Sequence, residues 1–285
     1  MTDAEAFVPG HVTGFFSIHR NEADPTKTGS RGAGLALTDG VTVTVERAAE
    51  PSVALNGVAV EMDAVETVLD TLQASARVEA ETPLPVGSGF GVSGATTLGT
   101  ALAVNAAFDR GLSENELVTI AHGAEVQAGT GLGDVVAQAR GGAPIRLEPG
   151  GPHDNQLDGV PERARVEYHT MGELPTEEVI SGDSELLNHA GKRALSRLVE
   201  EPTLASFMRA SRQFAREAEL LTPEIRDVIL DVNEADGQSS MAMLGKTVFA
   251  LGHGLSDAGY DPATCWIDPT GARMATPDDE SPDPV

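Results

Sequence analysis

Cysteine is nearly missing from this 285-residue chain: Cys265 stands alone, which excludes an internal disulfide and any metal site built on several thiolates. Lysine is almost as scarce, confined to Lys27, Lys192 and Lys246, so arginine supplies nearly all the positive charge. Aromatic side chains make up only 4%. No stretch approaches the roughly eighteen uninterrupted apolar residues that a spanning helix needs. The first residues, Met-Thr-Asp-Ala-Glu, carry neither a basic segment nor an apolar one. No secretory signal is therefore expected, and the chain reads as soluble and cytoplasmic.

What the chain has in excess is acid. Forty-four acidic residues stand against 19 basic ones, a formal net charge of −25 with a sequence pI near 4.4. Such a surface repels nucleic acid and anionic membranes, so neither is expected as a partner. An acidic, lysine-poor composition is halophilic in character, because self-repulsion on this scale is screened in concentrated salt, where the Debye length falls to about 3 Å. An ordinary acidic cytosolic protein is the alternative. Apolar residues at 40% support a packed core, and the length suits about two domains.

Along the chain, Val41, Val43 and Val45 alternate with polar residues after Asp39-Gly40, which predicts a half-buried strand entered through a turn. Val53 to Val60, broken by Asn56-Gly57, predicts a hairpin. The spacing of Val65, Val68, Leu69 and Leu72 predicts a helix within Met62 to Ala76. Gly94 to Phe108 is small and apolar almost all round, as in a helix buried on most sides. Ser113-x-x-Glu116 is a capping box for the next helix, whose stripe is Leu117, Ile120, Ala121 and Ala124. A Gly/Pro/Asp-rich stretch from Pro149 to Pro161 marks the expected boundary between a first domain, residues 1–150, and a second, residues 161–275. The second should hold a strand from Arg163 to His169 and three amphipathic helices, the last capped by Thr222-Pro223. Strands are expected at Thr247 to Leu251 and Thr264 to Ile267. Cys265 and Trp266 read as core, and the acidic, proline-rich tail 276–285 as disordered.

The most informative stretch runs from Leu84 to Ala95, where Gly87, Gly89, Gly91 and Gly94 lead straight into the apolar helix. Closely spaced glycines let backbone N–H groups converge on an anion, and a helix N-terminus adds partial positive charge. Gly89-x-Gly91-x-x-Gly94 matches a dinucleotide fingerprint in letters only. Pro85 disfavours the strand that should precede it, and no acid-tipped second strand follows. Gly245-Lys246-Thr247 ends like a P-loop, but Ser240 stands where the leading glycine belongs.

Pro85-x-x-x-Gly89-Phe90-x-x-Ser93-Gly94 resembles the second signature of the GHMP kinases, a family of small-molecule kinases. Val8-Pro9-Gly10-His11-Val12 resembles the family's N-terminal motif. Glu125, Gly129-Thr130-Gly131-Leu132-Gly133-Asp134 and Gly141-Gly142 resemble its acid-bearing segment. Gly14-Phe15-Phe16, the run from Thr28 to Gly34 and the run from Gly89 to Ala95 look like the branch of the family that acts on pantoate. The resemblance covers most of the chain and is strongest through residue 147. Val92 and Gly94 depart from the more usual neighbours of Ser93. The C-terminal glycine-rich signature is worn down to the stretch from Gly237 to Gly245, which leaves open how far the second domain meets the nucleotide.

The resemblance implies an α+β fold of two domains with the active site in the cleft between them. It implies ATP-dependent phosphorylation of the primary 4-hydroxyl of (R)-pantoate, with Mg²⁺, in coenzyme A synthesis. The nucleotide cradle would be Pro85, Gly87, Ser88, Gly89, Phe90, Gly91, Val92, Ser93, Gly94 and Ala95. Ser93 and Glu125 would hold the metal, Asp134 would accept the hydroxyl proton, and Ser30, His122 and Arg146 would bind the substrate, with Arg31 as a weaker addition. From the residues alone, Glu125 reads first as a solvated helix carboxylate, and Asp134 could equally be a helix cap. Arg146 could be an outward-facing strand residue or a bidentate partner for a carboxylate. Mevalonate, homoserine or shikimate as substrate stays open, as does a non-catalytic nucleotide-binding regulator. A homodimer is compatible with all of these.

Overall fold

The computed structural model describes residues 3–172 and 184–275; the tail 276–285, expected to be disordered, lies outside them. Two long antiparallel strands open the chain, β1 (Ala4–His19) and β2 (Gly29–Arg47). Most of their length is buried on both faces, so the apolar pattern does not alternate and only the stretch from Val41 onward reads as strand from sequence. Asp39-Gly40 is not a turn. Pro9, opposite Gly40, has no N–H for the ladder, and the register slips between Pro9 and Gly10, leaving Asp39-Gly40 at an irregularity inside β2.

The predicted hairpin forms β3 (Ser52–Leu55) and β4 (Val58–Ala59). Next come α1 (Asp63–Thr71), β5 (Ala76–Glu81), α2 (Val92–Ala107), α3 (Glu114–Ala128) and α4 (Asp134–Arg140). The capping box at the head of α3 is complete, with Ser113 and Glu116 each satisfying the other's backbone. After β6 (Ala143–Glu148), the glycine- and proline-rich stretch contains a further strand, β7 (Gln156–Val160), paired to β6.

The rest of the chain runs through β8 (Arg165–Thr170), α5 (Ser184–Glu200), α6 (Leu204–Glu217) and α7 (Pro223–Glu234). It continues with β9 (Gln238–Ala242), β10 (Thr247–Leu251), a short α8 (Gly254–Asp257), β11 (Ala263–Trp266) and β12 (Arg273–Met274). Thr222 caps α7 and Pro223 opens it, as expected.

These strands make two sheets. The first has the order β12-β1-β2-β5-β3-β4, with β6 also paired to β2 and β7 to β6; the second is β11-β8-β10-β9. Helix α2 packs on β1 and β2, while α6 packs on both β1 and β9. Phe207 on α6 lies 6.3 Å from Phe15 of β1 and 6.2 Å from Phe249 of β10. One aromatic cluster thus ties the two sheets together. Cys265 is buried, but Trp266, expected in the core, is 44% exposed with its ring 5.7 Å from the Arg163 guanidinium. Alternation along β11 sends the two neighbours to opposite faces. No helix among the described residues is long and apolar enough to cross a membrane.

Candidate active site

The glycine-rich loop delivers the backbone to the start of α2. Gly91, the residue before the helix, is left-handed at φ 63° and no side chain caps the first turn, so the leading N–H groups of the helix remain available to an anion. Gly89 has φ +89°, and a Cβ there would stand 2.8 Å from the Met243 carbonyl oxygen. A Cβ on Gly245 would come within 2.0 Å of the Ser88 carbonyl oxygen. Glycine at both positions lets the β9–β10 turn close onto the loop, and the Thr247 hydroxyl donates to the Ser88 carbonyl at 2.8 Å. The worn C-terminal signature is therefore the segment that touches the loop.

A cavity of about 260 Å³ opens along this loop, lined by Val86, Gly87, Gly89, Phe90, Gly91, Val92 and Ser93 together with Thr13, Thr130, Asp134, Met243 and Leu244. Of the other expected cradle residues, Pro85 is half-buried at the loop's entry. Ser88 is buried with its hydroxyl toward the Val86 carbonyl. Gly94 faces Gln138 and Asp134, and Ala95 is fully buried in the helix. The Phe90 ring points away into the core, edge-on to Tyr168 at 4.8 Å.

A second, smaller cavity, closed down to about 20 Å³, adjoins the first and is lined by Ser30, Arg146, Asp134, Thr13, Phe16, Gly131, Leu132, Gly133 and Leu244. Thr13, Asp134 and Leu244 line both. Leu244 sits at φ 67°, a conformation costly for a branched side chain.

Asp134 opens α4 as its first residue, not as its cap: Gly133 holds the cap position and no side-chain cap bond is present. The carboxylate instead accepts from His11 Nδ1 at 2.7 Å and, at 3.5 Å, from the Thr13 hydroxyl. Burial, the largest influence, pushes the Asp134 carboxyl up. The His11 hydrogen bond and electrostatic pull, the positive charge of Arg146 and the Thr13 hydroxyl outweigh it and hold the group below the usual aspartate range. His11 is completely buried in the middle of β1, and that burial draws its pKa down against the pull of Asp134. The pair is joined through Nδ1 of the buried imidazole and one oxygen of the carboxylate.

Glu125 is no solvated helix carboxylate. It is 2% exposed, one oxygen accepting from Ser93 and Thr97, each at 2.8 Å, and the other from Thr130 at 2.9 Å. Burial raises its pKa, and the three hydroxyls only partly offset that. Arg146 faces inward, at 2% exposure, with Nε and Nη1 lacking any hydrogen-bond partner. Burial lowers its pKa and the Asp134 charge works against the shift. A buried guanidinium left this incomplete calls for an anionic ligand.

Ser30 is buried beside Arg146: a Cβ on Gly133 would meet both side chains, Ser30 Oγ at 2.6 Å and Arg146 Nε at 2.8 Å. His122 is not brought to either cavity wall. Its Nε2 bonds the Thr28 carbonyl at 2.7 Å, two residues before Ser30. Arg31 turns outward to Glu148 at 2.5 Å. His11, Thr13, Thr97, Thr130 and Leu244 were not singled out from sequence. Their only signal was membership of the quoted motifs, which His11, Thr130 and Leu244 had.

Residues 58–142 match the family model of the GHMP kinases N terminal domain. The pantoate kinase of Methanospirillum hungatei is 35% identical over 263 residues, 88% of each chain. That of Thermococcus kodakarensis is 36% identical over 264 residues, 86% of each. A solved structure described as a phosphotransferase related to the CoA biosynthesis pathway superposes with a TM-score of 0.85 at 32% identity, covering 96% of this chain and 99% of its own. With these matches spanning both cavities, the chain belongs to the GHMP kinase family, in the group formed by the pantoate kinases.

Proposed function

We propose that the protein transfers the γ-phosphoryl group of ATP to the primary 4-hydroxyl of (R)-pantoate, yielding 4-phosphopantoate and ADP for coenzyme A synthesis, in the cytoplasm. The observation that carries this reading is Asp134, whose carboxylate lines both the loop cavity and the cavity of Ser30 and Arg146. Triphosphate held along the loop and a carboxylic acid held at Arg146 would meet at that one group. Arg146 supplies free donors at Nε and Nη1 for the acid's carboxylate, and a charge-assisted bond from either one would hold that group in place. Ser30 adds a hydroxyl beside it. His122 acts one step back, anchoring the backbone that carries Ser30.

Asp134 orients the attacking hydroxyl and takes its proton as the new P–O bond forms and the bond to ADP breaks. A carboxylate held below its usual pKa is a weak base. That suffices for phosphoryl transfer, whose loose transition state places little demand on early proton removal. His11 keeps the carboxylate ionised and fixed in direction.

The Ser93 and Glu125 side chains fit a magnesium ion. Both offer oxygen, and three hydroxyl donors leave Glu125 about one of its four lone-pair positions. Among the described residues no group of three or more His, Cys, Asp or Glu could form a metal cage; one or two protein ligands, completed by phosphate and water, is the usual magnesium arrangement. Bound there, the ion would neutralise triphosphate charge. The acceptor cavity, at about 20 Å³, holds little more than one water. Pantoate entry therefore requires this cavity to widen. The same reading divides the chain into a lobe of residues 1–150 and a lobe of residues 161–275 flanking the site, with β7 and β12 joining the first lobe's sheet.

ADP release with Mg·ATP, measured from low to multi-molar KCl, tests the proposal. Pantoate should turn over selectively against pantothenate, mevalonate, homoserine and shikimate, with activity rising with salt if the acidic surface is a halophilic one. Turnover of another alcohol alone would overturn the substrate and keep the chemistry. Tight ATP binding without turnover of any would make the protein a nucleotide-binding regulator.

A further inference from the structure

Positive charge is the scarce resource of this chain, yet four arginines converge on one groove that shares no residue with the loop cavity. Arg209, Arg212 and Arg216 lie three and four residues apart along α6, and Arg226 sits on the facing side of α7, around a cavity of about 800 Å³. That spacing places them in one stripe per helix. The floor is apolar, made by Leu221, Ile229 and Leu230, and Leu230 is 51% exposed. The cavity shares no lining residue with either catalytic cavity.

The arginines are short of partners. Arg209 pairs with Glu201 at 2.8 Å, and Arg212 has only the neutral Asn233 amide oxygen, at 2.7 Å. Arg216 and Arg226 make no ion pair among the described residues. The single acid on the rim is Glu219. In a chain with 44 acids and 19 bases, four arginines around one cavity with a single acid on its rim are a local reversal of the overall charge. Burial, followed by the charge of Arg209, draws the Arg212 pKa down, as expected where positive charge gathers uncompensated.

We propose that the α6–α7 groove is a second ligand site, taking a small organic phosphate whose apolar body lies on Leu221, Ile229 and Leu230 while its anionic head meets Arg212, Arg216 and Arg226. The volume falls within the usual range for small-molecule cavities, roughly 300–1,000 Å³. Guanidinium forks suit phosphate oxygens in particular.

The test is calorimetric titration of the full chain with 1-naphthyl phosphate, at the lowest KCl that preserves its far-ultraviolet circular dichroism. Both catalytic cavities are kept saturated with a non-hydrolysable ATP analogue and pantoate. One site per chain is expected. Binding should weaken about tenfold or more in Arg216→Ser/Arg226→Ser, the loss of at least one charge-assisted contact. It should be unchanged in Arg163→Ser/Arg197→Ser, which removes the same charge elsewhere. The uncharged 1-naphthol should bind at least tenfold more weakly than the phosphate. Absence of saturable binding, equal binding of naphthol, or indifference to the Arg216/Arg226 substitutions overturns the proposal. So does a dimer of the parent chain that becomes a monomer in Arg216→Ser/Arg226→Ser by sedimentation, which would make the groove an interface between copies.

Discussion

Among the described residues two glutamates are buried, one on a helix of the first lobe and one on a strand of the second sheet, and they are held in opposite ways. Glu167, on β8, is fully enclosed. One oxygen accepts from the backbone N–H groups of Leu255 and Ser256, each at 3.0 Å. The other accepts from the Ser256 hydroxyl at 2.5 Å and Arg165 at 2.9 Å. Burial pushes its pKa up, but these donors more than compensate and leave it below the usual range. Glu125 receives three hydroxyls and no cation, and its pKa stays raised. Fixed backbone dipoles and a guanidinium commit a carboxylate to one structural task. Hydroxyl rotors satisfy a carboxylate while leaving it able to meet a further positive charge. The first is a fastening for α8; the second is a group kept in readiness, next to a cavity.

Asp134 combines the two: its pKa is depressed like that of Glu167, yet it lines both cavities, and substituting it should give the largest effect. Asp134→Asn keeps the size and loses the proton acceptor, so kcat should fall by about 10³, within the span of general-base contributions. ATP binding should stay near the parent value, and the thermal midpoint should fall by a few degrees at most, since the depressed pKa of Asp134 marks a modest contribution to stability. A collapse of stability instead would place Asp134 with Glu167 as a structural acid.

The comparison sharpens in the crossed pair Glu125→Gln and Glu167→Gln. Glu125→Gln should lower kcat by about 10² and raise the magnesium requirement, with little change in melting temperature, because the neutral amide suits a site that already disfavours charge. Glu167→Gln should do the reverse: unchanged kcat, and a loss of about 2 kcal/mol from broken charge-assisted bonds, several degrees in melting temperature. Because the folded pKa of Glu167 is depressed, its contribution is present above the unfolded value of about 4.3 and is lost as pH falls through the lower folded one. The stability gap between parent and Glu167→Gln should therefore be full at pH 7 and close in acid. A gap independent of pH would remove the ionised carboxylate as its cause.

This division of labour was only partly legible in the sequence. Glycine spacing before an apolar helix exposed the loop, and the capping signals at Ser113 and Thr222 located two helices, because both are local chemistry. The family motifs brought Ser93, Glu125, Asp134, Ser30 and Arg146 together on paper, and folding places all but Glu125 around two adjoining cavities, with Glu125 behind Ser93 and Thr130. What sequence could not express is which partner each charge meets. His11 reaches Asp134 across 123 positions, and Thr97 reaches Glu125 across 28. Glu167 drew no attention, since a lone glutamate in a strand reads as solvent-facing. The long strands β1 and β2 escaped for a related reason: burial on both faces erases the alternation that marks a strand. Trp266 misled because its neighbour Cys265 is core.

Arg146 carries the same contrast to the basic side chains. Arg165 is spent on Glu167, whereas Arg146 holds two free donors toward the acceptor cavity. Arg146→Gln should raise the KM for pantoate about tenfold to a hundredfold with a smaller loss in kcat, as expected for uniform binding of a group remote from the reacting oxygen. Arg146→Lys should recover little, because a compact ammonium at the end of a flexible stem cannot place donors where the planar guanidinium holds them. An unchanged KM would move the carboxylate site elsewhere.

The smallest effect, and the finest probe of readiness against commitment, is expected at His11. Its Nδ1–H donates to Asp134 from a fully buried ring, so it acts on the reaction only through that carboxylate. His11→Phe removes the donor and keeps a ring in the core; kcat should drop by about tenfold, less than loss of the base itself. The sign of the pH effect separates this role from simple packing. The donor favours ionised Asp134 and holds its pKa down; without it the pKa rises, and the proton must leave Asp134 before the group can accept another. The acid limb of the kcat profile should accordingly move to higher pH in His11→Phe and return toward the parent in His11→Asn, whose amide N–H can replace Nδ1–H. A loss of rate with no movement of that limb would reduce His11 to a piece of the β1 core.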